Sequence, residues 1–196
     1  MKAFEYYSAI INRYDMISHT DWRDVLNIAK DKYFQKDDVI IRQGEVAKVC
    51  GLVVNGSFKN VSYHNESEER ILKFNFKTDF LSSCKSYNEG TPSSFAIVAM
   101  EPSHVLEINN DDLVKLCYAS PPILGLGLIL SQQTMQAYEE HLTLLSLPSP
   151  DLRYQYLLEK HGQLINKVSV TDLAKFMYIS RESVSRARRS LKELSC

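Results

Sequence analysis

Residues 168–191, VSVTDLAKFMYISRESVSRARRSL, constrain this chain more than any other stretch. The spacing predicts two short helices around a tight turn. Ser169 is placed to cap the first helix, with Asp172 three residues on, near the positive helix end. Leu173, Ala174 and Met177 fall on one face, and a small residue such as Ala174 lets two helices cross closely. Ser180 is placed to cap the second helix. Val184, Ala187 and Leu191 then follow the i, i+3, i+7 spacing and face inward. Arg181, Glu182, Ser185, Arg186 and Arg189 are left facing out. A planar donor fork, an acceptor and further donors at a helix start are the groups that read base edges in a major groove. The plainer reading is a solvated basic helix on any helical domain.

Charge distribution favours the first reading. Residues 151–196 hold nine Lys/Arg and five Asp/Glu, whereas the whole chain carries a net charge of −1. A basic end on an acidic body points to a polyanionic partner. The 44% hydrophobic content is enough for a packed core. No two of Cys50, Cys84, Cys117 and Cys196 lie within thirty residues of each other, so no CxxC unit exists and reduced thiols are expected. The histidines are equally scattered, and neither a metal nor a cofactor is expected. The first residues lack the apolar core of a signal peptide. The longest apolar run, residues 123–130, is too short to span a bilayer. The expectation is a cytoplasmic protein with no membrane partner.

Residues 1–32 show helical spacing through Phe4, Tyr7, Ile11, Tyr14, Trp22, Val25, Leu26 and Ala29. From about residue 33 to 108 the texture changes to short β-branched and aromatic runs separated by turn residues. Strands are expected over 39–41, 49–54, 58–63, 71–76, 95–100 and 104–108, which indicates an antiparallel sandwich or barrel. Asn55-Gly56 suits a turn that needs positive φ. Over 123–146, Leu124, Leu128, Ser131, Met135, Tyr138, Leu142 and Leu145 alternate steps of four and three. Such a seam fits a helix paired with its own copy in a homodimer, or one lying on its own barrel. The prolines of SLPSP, residues 146–150, end it. Ser149 and Pro150 then open a helix expected to run through Lys160. The natural parts are residues 1–122, 123–146 and 147–196.

Strands, long helix, proline hinge and terminal helix pair occur in the order that resembles the Crp/Fnr family of bacterial transcription regulators. The likeness rests on DVIIRQGEVAKVCGLVVNGS at 38–57, SSFAIVAMEPSHVLEI at 93–108 and, most specifically, ISRESVSR at 179–186. It implies an α+β fold: an N-terminal cyclic-nucleotide-binding-like antiparallel β-roll, a long dimerisation helix and a C-terminal winged-type helix-turn-helix. It implies a sequence-specific regulator that binds double-stranded DNA as a homodimer, at an inverted-repeat operator with a half-site such as GTGA. RNA polymerase is a further partner it suggests. Arg181, Glu182, Ser185 and Arg186 become the base-reading candidates. Ser169, Thr171, Ser180, Ser183, Arg188, Arg189 and Lys192 become the phosphate candidates.

Cyclic-nucleotide-binding members of the family use a Gly-Glu pair for the ribose and an Arg-Ser pair for the cyclic phosphate. By the spacing of TDFLSS at 78–83 and SSFAIVA at 93–99, those positions are Ser82-Ser83 and Ser93-Ser94 here. Only Ser94 matches. A buried phosphate without its cation is costly, so cyclic AMP is not the expected effector. Ser82, Ser83, Ser93 and Ser94 are candidates to bind another small molecule, or none. Tyr178 stands where the family favours glycine. An enzyme of the cupin kind would need a His-x-His metal set, and His64 stands alone among the expected strands, so no enzyme is expected. The alternative is a dimeric small-molecule- or partner-binding β-roll protein whose helix-turn-helix is incidental.

Overall fold

The computed structural model describes residues 7–65 and 68–193, without the side chains of 65 and 191–193. Phe4 and Cys196, and the side chains of Leu191 and Lys192, lie outside the described residues. The chain divides into two compact units. One comprises residues 1–62 and 74–135; the other comprises 63–73 and 136–196.

The first unit opens with helices α1 (Ser8–Arg13) and α2 (His19–Ile28). Ser18 caps α2 by accepting from the Asp21 N–H. Two antiparallel four-stranded sheets follow. The first has the order β1 (Ala29–Phe34), β8 (Ser103–Asn109), β3 (Val49–Asn55), β6 (Phe80–Leu81). The second has the order β2 (Val39–Ile41), β7 (Ala96–Ala99), β4 (Phe58–Asn65), β5 (Glu68–Asn75). Side chains along β3 alternate between two cores, and this explains its unbroken apolar run. Val53 joins Ile41, Phe58, Leu81, Ile97 and Val105 inside the roll. Cys50, Leu52 and Val54 pack outward against Ile10, Tyr14, Trp22 and Val25 of the helices. Burial pushes the Cys50 thiol up to about 12, so it stays protonated and inert. Gly56 turns the chain from β3 into β4 at φ +91°, and a Cβ there would lie 2.1 Å from the Ser103 hydroxyl.

Four short helices or strands were not apparent in the sequence, the two-residue strand β6 among them. The helical reading of residues 1–32 fails at its end. Ala29–Phe34 is strand β1, paired with β8 from Ala29↔Ile108 to Phe34↔Ser103. Pairing along its length overrides the local spacing. Helices α3 (Cys84–Glu89) and α4 (Asn110–Ala119) also appear, the latter capped by the Asn109 side chain. Then comes the long helix α5 (Pro121–Ser146).

In the second unit α6 (Pro150–Lys167) is capped by Ser149, with Pro150 in its first turn. It runs beyond the expected end at Lys160. His161 leaves helical geometry there (φ −137°, ψ 40°), and the helix resumes at Gly162. Helices α7 (Val170–Met177) and α8 (Arg181–Glu193) complete the unit. The α+β class, the antiparallel roll, the long helix and the terminal helices are all present. Residues 147–193 contain no strand, and two residues separate α6 from α7. The same unit instead contains the outer part of the β4–β5 hairpin, residues 63–73. No described helix is long and apolar enough to cross a membrane.

Candidate nucleic-acid interface

Ser169 caps α7 by accepting from the Asp172 N–H at 3.0 Å, and its hydroxyl donates back to the Asp172 carboxylate at 2.9 Å. Leu173, Ala174 and Met177 are buried, as their spacing requires, and Phe176 is buried beside them. Tyr178 ends the helix in the left-handed region, at φ 55° and ψ 44°. A non-glycine residue there costs about 1–2 kcal/mol. Ser180 then caps α8, accepting from the Ser183 N–H at 3.1 Å. Val184 and Ala187 are 1% and 0% exposed, which fixes the rotation of α8 about its axis.

That rotation turns Arg181, Glu182, Ser185 and Arg186 to solvent, together with Arg188 and Arg189. Three of the hydroxyls proposed from sequence are partly engaged at the helix starts. Ser169 and Ser180 serve as caps, and Ser183 receives a guanidinium N–H of Arg186 at 3.2 Å. Thr171 is exposed. The Glu182 carboxyl is held below its usual range, first by its own backbone N–H at the helix start and then by the Ser180 hydroxyl. It is therefore a standing acceptor on a face otherwise rich in donors.

Residues that sequence reasoning missed hold this motif in place. Arg153 of α6 donates to the carbonyls of Leu145, Leu147 and Met177. His141 of α5 stacks on Phe176, ring centroids 4.1 Å apart, and its Nε2 lies 2.8 Å from the Phe176 carbonyl oxygen. Burial holds the His141 imidazole below its ordinary pKa, opposed by the hydrogen bond to that carbonyl. Lys175, at the end of α7, pairs with Glu69 of β5 at 2.5 Å.

Along α5, Ile123, Leu126 and Leu130 are buried. Leu124, Leu128, Met135 and Leu142 are exposed at 48%, 60%, 59% and 67%. Ser131 is exposed as well, and Tyr138 and Leu145 are half-buried. The residues with the 4-3 spacing are thus not those that anchor the helix to its own core.

The hydroxyl-rich stretch in the first unit is largely self-satisfied. The Ser83 and Ser93 hydroxyls lie 2.9 Å apart, and both residues are buried. Ser93 also donates to the Phe95 carbonyl at 2.7 Å. Ser86 donates to the Thr91 carbonyl and accepts from the Ala47 N–H. Ser94 is exposed. Ser82 lies apart, on a cleft of about 340 Å³ walled by Phe80, Leu113, Val114, Leu124 and Leu128.

Residues 31–120 match the family model of the cyclic nucleotide-binding domain. No curated protein sequence matches the chain. Among solved structures the chain is similar to FixK2 from Bradyrhizobium japonicum, with a TM-score of 0.73 and 20% identity over 86% of each chain. It is similar to the Catabolite Activator Protein of Thermus thermophilus, with a TM-score of 0.55 and 22% identity over 91% of this chain and 85% of that one. A third is a protein from Eubacterium rectale described as a transcriptional regulator of the crp/fnr family. Its TM-score is 0.68, with 15% identity over 91% of this chain and 85% of that one. At these identities the likeness is one of fold. Within the matched residues, the hydrogen-bonded Ser83 and Ser93 hydroxyls are two neutral groups, neither a carboxylate nor a guanidinium.

Proposed function

We propose that this chain is a dimeric, sequence-specific DNA-binding transcription regulator of Crp/Fnr type that does not respond to cyclic AMP. The observation that carries the reading is the rotation of α8. Val184 and Ala187 are buried, and Arg181, Glu182, Ser185 and Arg186 stand together in solvent on its first turns. Donor forks and a fixed carboxylate on one helix face match the edges of guanine and cytosine in a major groove. Arg188, Arg189, Thr171 and the helix-capping serines would position the duplex through its phosphates. Residues 147–196 would form the DNA-binding part and residues 123–146 the dimer helix, with residues 1–122 as the sensor-like part. The likeness to the Eubacterium rectale protein, described as a transcriptional regulator of the crp/fnr family, supports this reading. Action in the cytoplasm, with RNA polymerase as a partner and without catalysis, belongs to the same reading.

The apolar cleft beside Leu124 and Leu128 favours a second reading, a dimeric β-roll that binds a small molecule and uses no DNA. Selection of bound sequences from a random duplex library separates the two. The first reading requires enrichment of an inverted repeat. Recovery of unenriched DNA, or of none, supports the second.

A further inference from the structure

The second unit contains a contact that the reading of α8 does not use. Glu68, Glu69 and Arg70 of β5 face α7 and the turn after it. The Glu69 carboxylate lies 2.5 Å from the Lys175 ammonium, with side chains only 21% and 32% exposed. The Arg70 guanidinium sits 4.3 Å from the centroid of the Tyr178 ring, within cation–π range. The same guanidinium donates twice to Glu68, at 2.9 and 2.5 Å. Tyr178 occupies a left-handed position that glycine would fill with less strain. Its ring gives that strain a use, as the platform on which Arg70 rests.

The contact has an electrostatic consequence. Glu68, Glu69 and Arg70 line a cleft of about 430 Å³ together with Lys175, Thr171, Ser180 and Arg181. Three of those are residues assigned above to the duplex. A phosphate approaching Thr171 or Ser180 therefore meets a cleft in which Arg70 and Lys175 are already paired with Glu68 and Glu69, so their charge is satisfied within the protein and is not offered to the duplex. Lys175, a cation at the edge of the reading motif, is already neutralised by Glu69. We propose that the outer part of the β4–β5 hairpin is an anionic latch on the helix-turn-helix. Glu69 takes the place of a duplex phosphate on Lys175, and Arg70 on Tyr178 holds it there. The latch rests on the DNA-binding reading and adds to it a built-in restraint on affinity, delivered by strands far away in sequence. It lowers affinity without touching a base edge, so it tunes occupancy of all sites alike.

The test is binding of one random-sequence duplex by wild type, Glu69→Gln, Arg70→Ala, Lys175→Ala and the Glu69→Gln/Lys175→Ala double variant across a salt series. Freeing Lys175 adds one phosphate contact. Glu69→Gln should therefore bind more tightly and steepen the slope of log K against log salt by about 0.9. Lys175→Ala alone should leave the wild-type slope unchanged, and in the Glu69→Gln background it should restore it. Arg70→Ala is the sharper variant. It removes a positive charge, so a general charge effect would weaken binding, whereas an opened latch strengthens it. Equal slopes for wild type and Glu69→Gln, or weaker binding by Arg70→Ala, would overturn the latch while leaving DNA binding intact. Failure of wild type to bind any duplex at low salt would overturn the DNA-binding reading and the latch with it.

Discussion

Arg153 holds the end of α7: its guanidinium donates to the Met177 carbonyl at 2.8 Å. Its other nitrogens donate to Leu145 and Leu147, the last turn of α5 and the start of the proline hinge. One side chain thus satisfies three carbonyls at two helix ends, groups that otherwise lack intrahelical partners. Arg153→Leu should destabilise the second unit by roughly 1–3 kcal/mol, the cost of leaving such acceptors unmet. Arg153→Lys should recover little of it, because an ammonium cannot span the three positions. Denaturant unfolding followed by helical circular dichroism measures both. A Leu variant as stable as wild type would show that water replaces the guanidinium.

Neither Arg153 nor the latch was legible in the sequence, and the reason is physical. The partners of Arg153 are backbone carbonyls, which carry no residue signature. Glu69 and Lys175 are 106 positions apart, with only the fold to bring them together. Strand β1 was hidden for a related reason. It is the outer strand of its sheet, and four of its six residues are exposed, so no apolar run marks it. By contrast β3 and β7 are buried on nearly every residue and read as apolar runs. The inward face of α8 was legible because Val184 and Ala187, with Leu191, are the apolar residues in an otherwise polar stretch; Val184 and Ala187 are buried. The hydroxyls of Ser83 and Ser93 could be located on the chain, but not their bond to each other.

That bond makes a prediction about ligands. A cyclic phosphate entering near Ser83 and Ser93 would have to break a buried hydrogen bond and would find no cation at either position. Calorimetry with millimolar cyclic AMP or cyclic GMP should show no binding heat. Micromolar affinity for either nucleotide would mean that a group outside this pair supplies the charge.

His141 makes the second unit sensitive to acid. Burial holds its pKa in the fold below the ordinary 6.5. The imidazole is then neutral in the fold, donating to Phe176, while the unfolded chain binds a proton as pH falls through 6.5. The unfolded state binds more protons there, so stability is full above that pH and declines below it. Unfolding midpoints should fall between about pH 7.5 and about pH 5.5. His141→Gln should flatten that part of the profile. An unchanged slope in the variant would place the titration elsewhere.

The exposed stripe of α5 predicts the assembly. Leu128 and Leu142 are 60% and 67% exposed, and burial of such a side chain is worth about 1.5–3 kcal/mol. Leu128→Asp with Leu142→Asp would put two charges per chain into a dry seam. Sedimentation should then find monomers with unchanged helical content. A dimer that survives both substitutions would exclude α5 as the seam.

The two classes of arginine on α8 should separate by what they lose. Arg186 stands on the face shared with Arg181 and Glu182, and its guanidinium is steadied by the Ser183 hydroxyl at 3.2 Å. A guanidinium so placed can take guanine N7 and O6 together. Arg186→Ala should then abolish preference at one base pair of each half-site, costing roughly 1–3 kcal/mol against the selected sequence and little against random DNA. Arg189 is also exposed, but it lies nearly a full turn further from the helix start, outside the first turns that reach base edges. Arg189→Ala should weaken binding to every sequence alike and reduce the salt slope by about one. Half-sites about 34–36 Å apart follow if two α8 helices enter successive major grooves. Binding titrations of both variants on the selected and the random duplex decide the assignment. Equal loss on both duplexes for Arg186→Ala would make it a phosphate contact and leave Arg181 and Glu182 to carry the base readout.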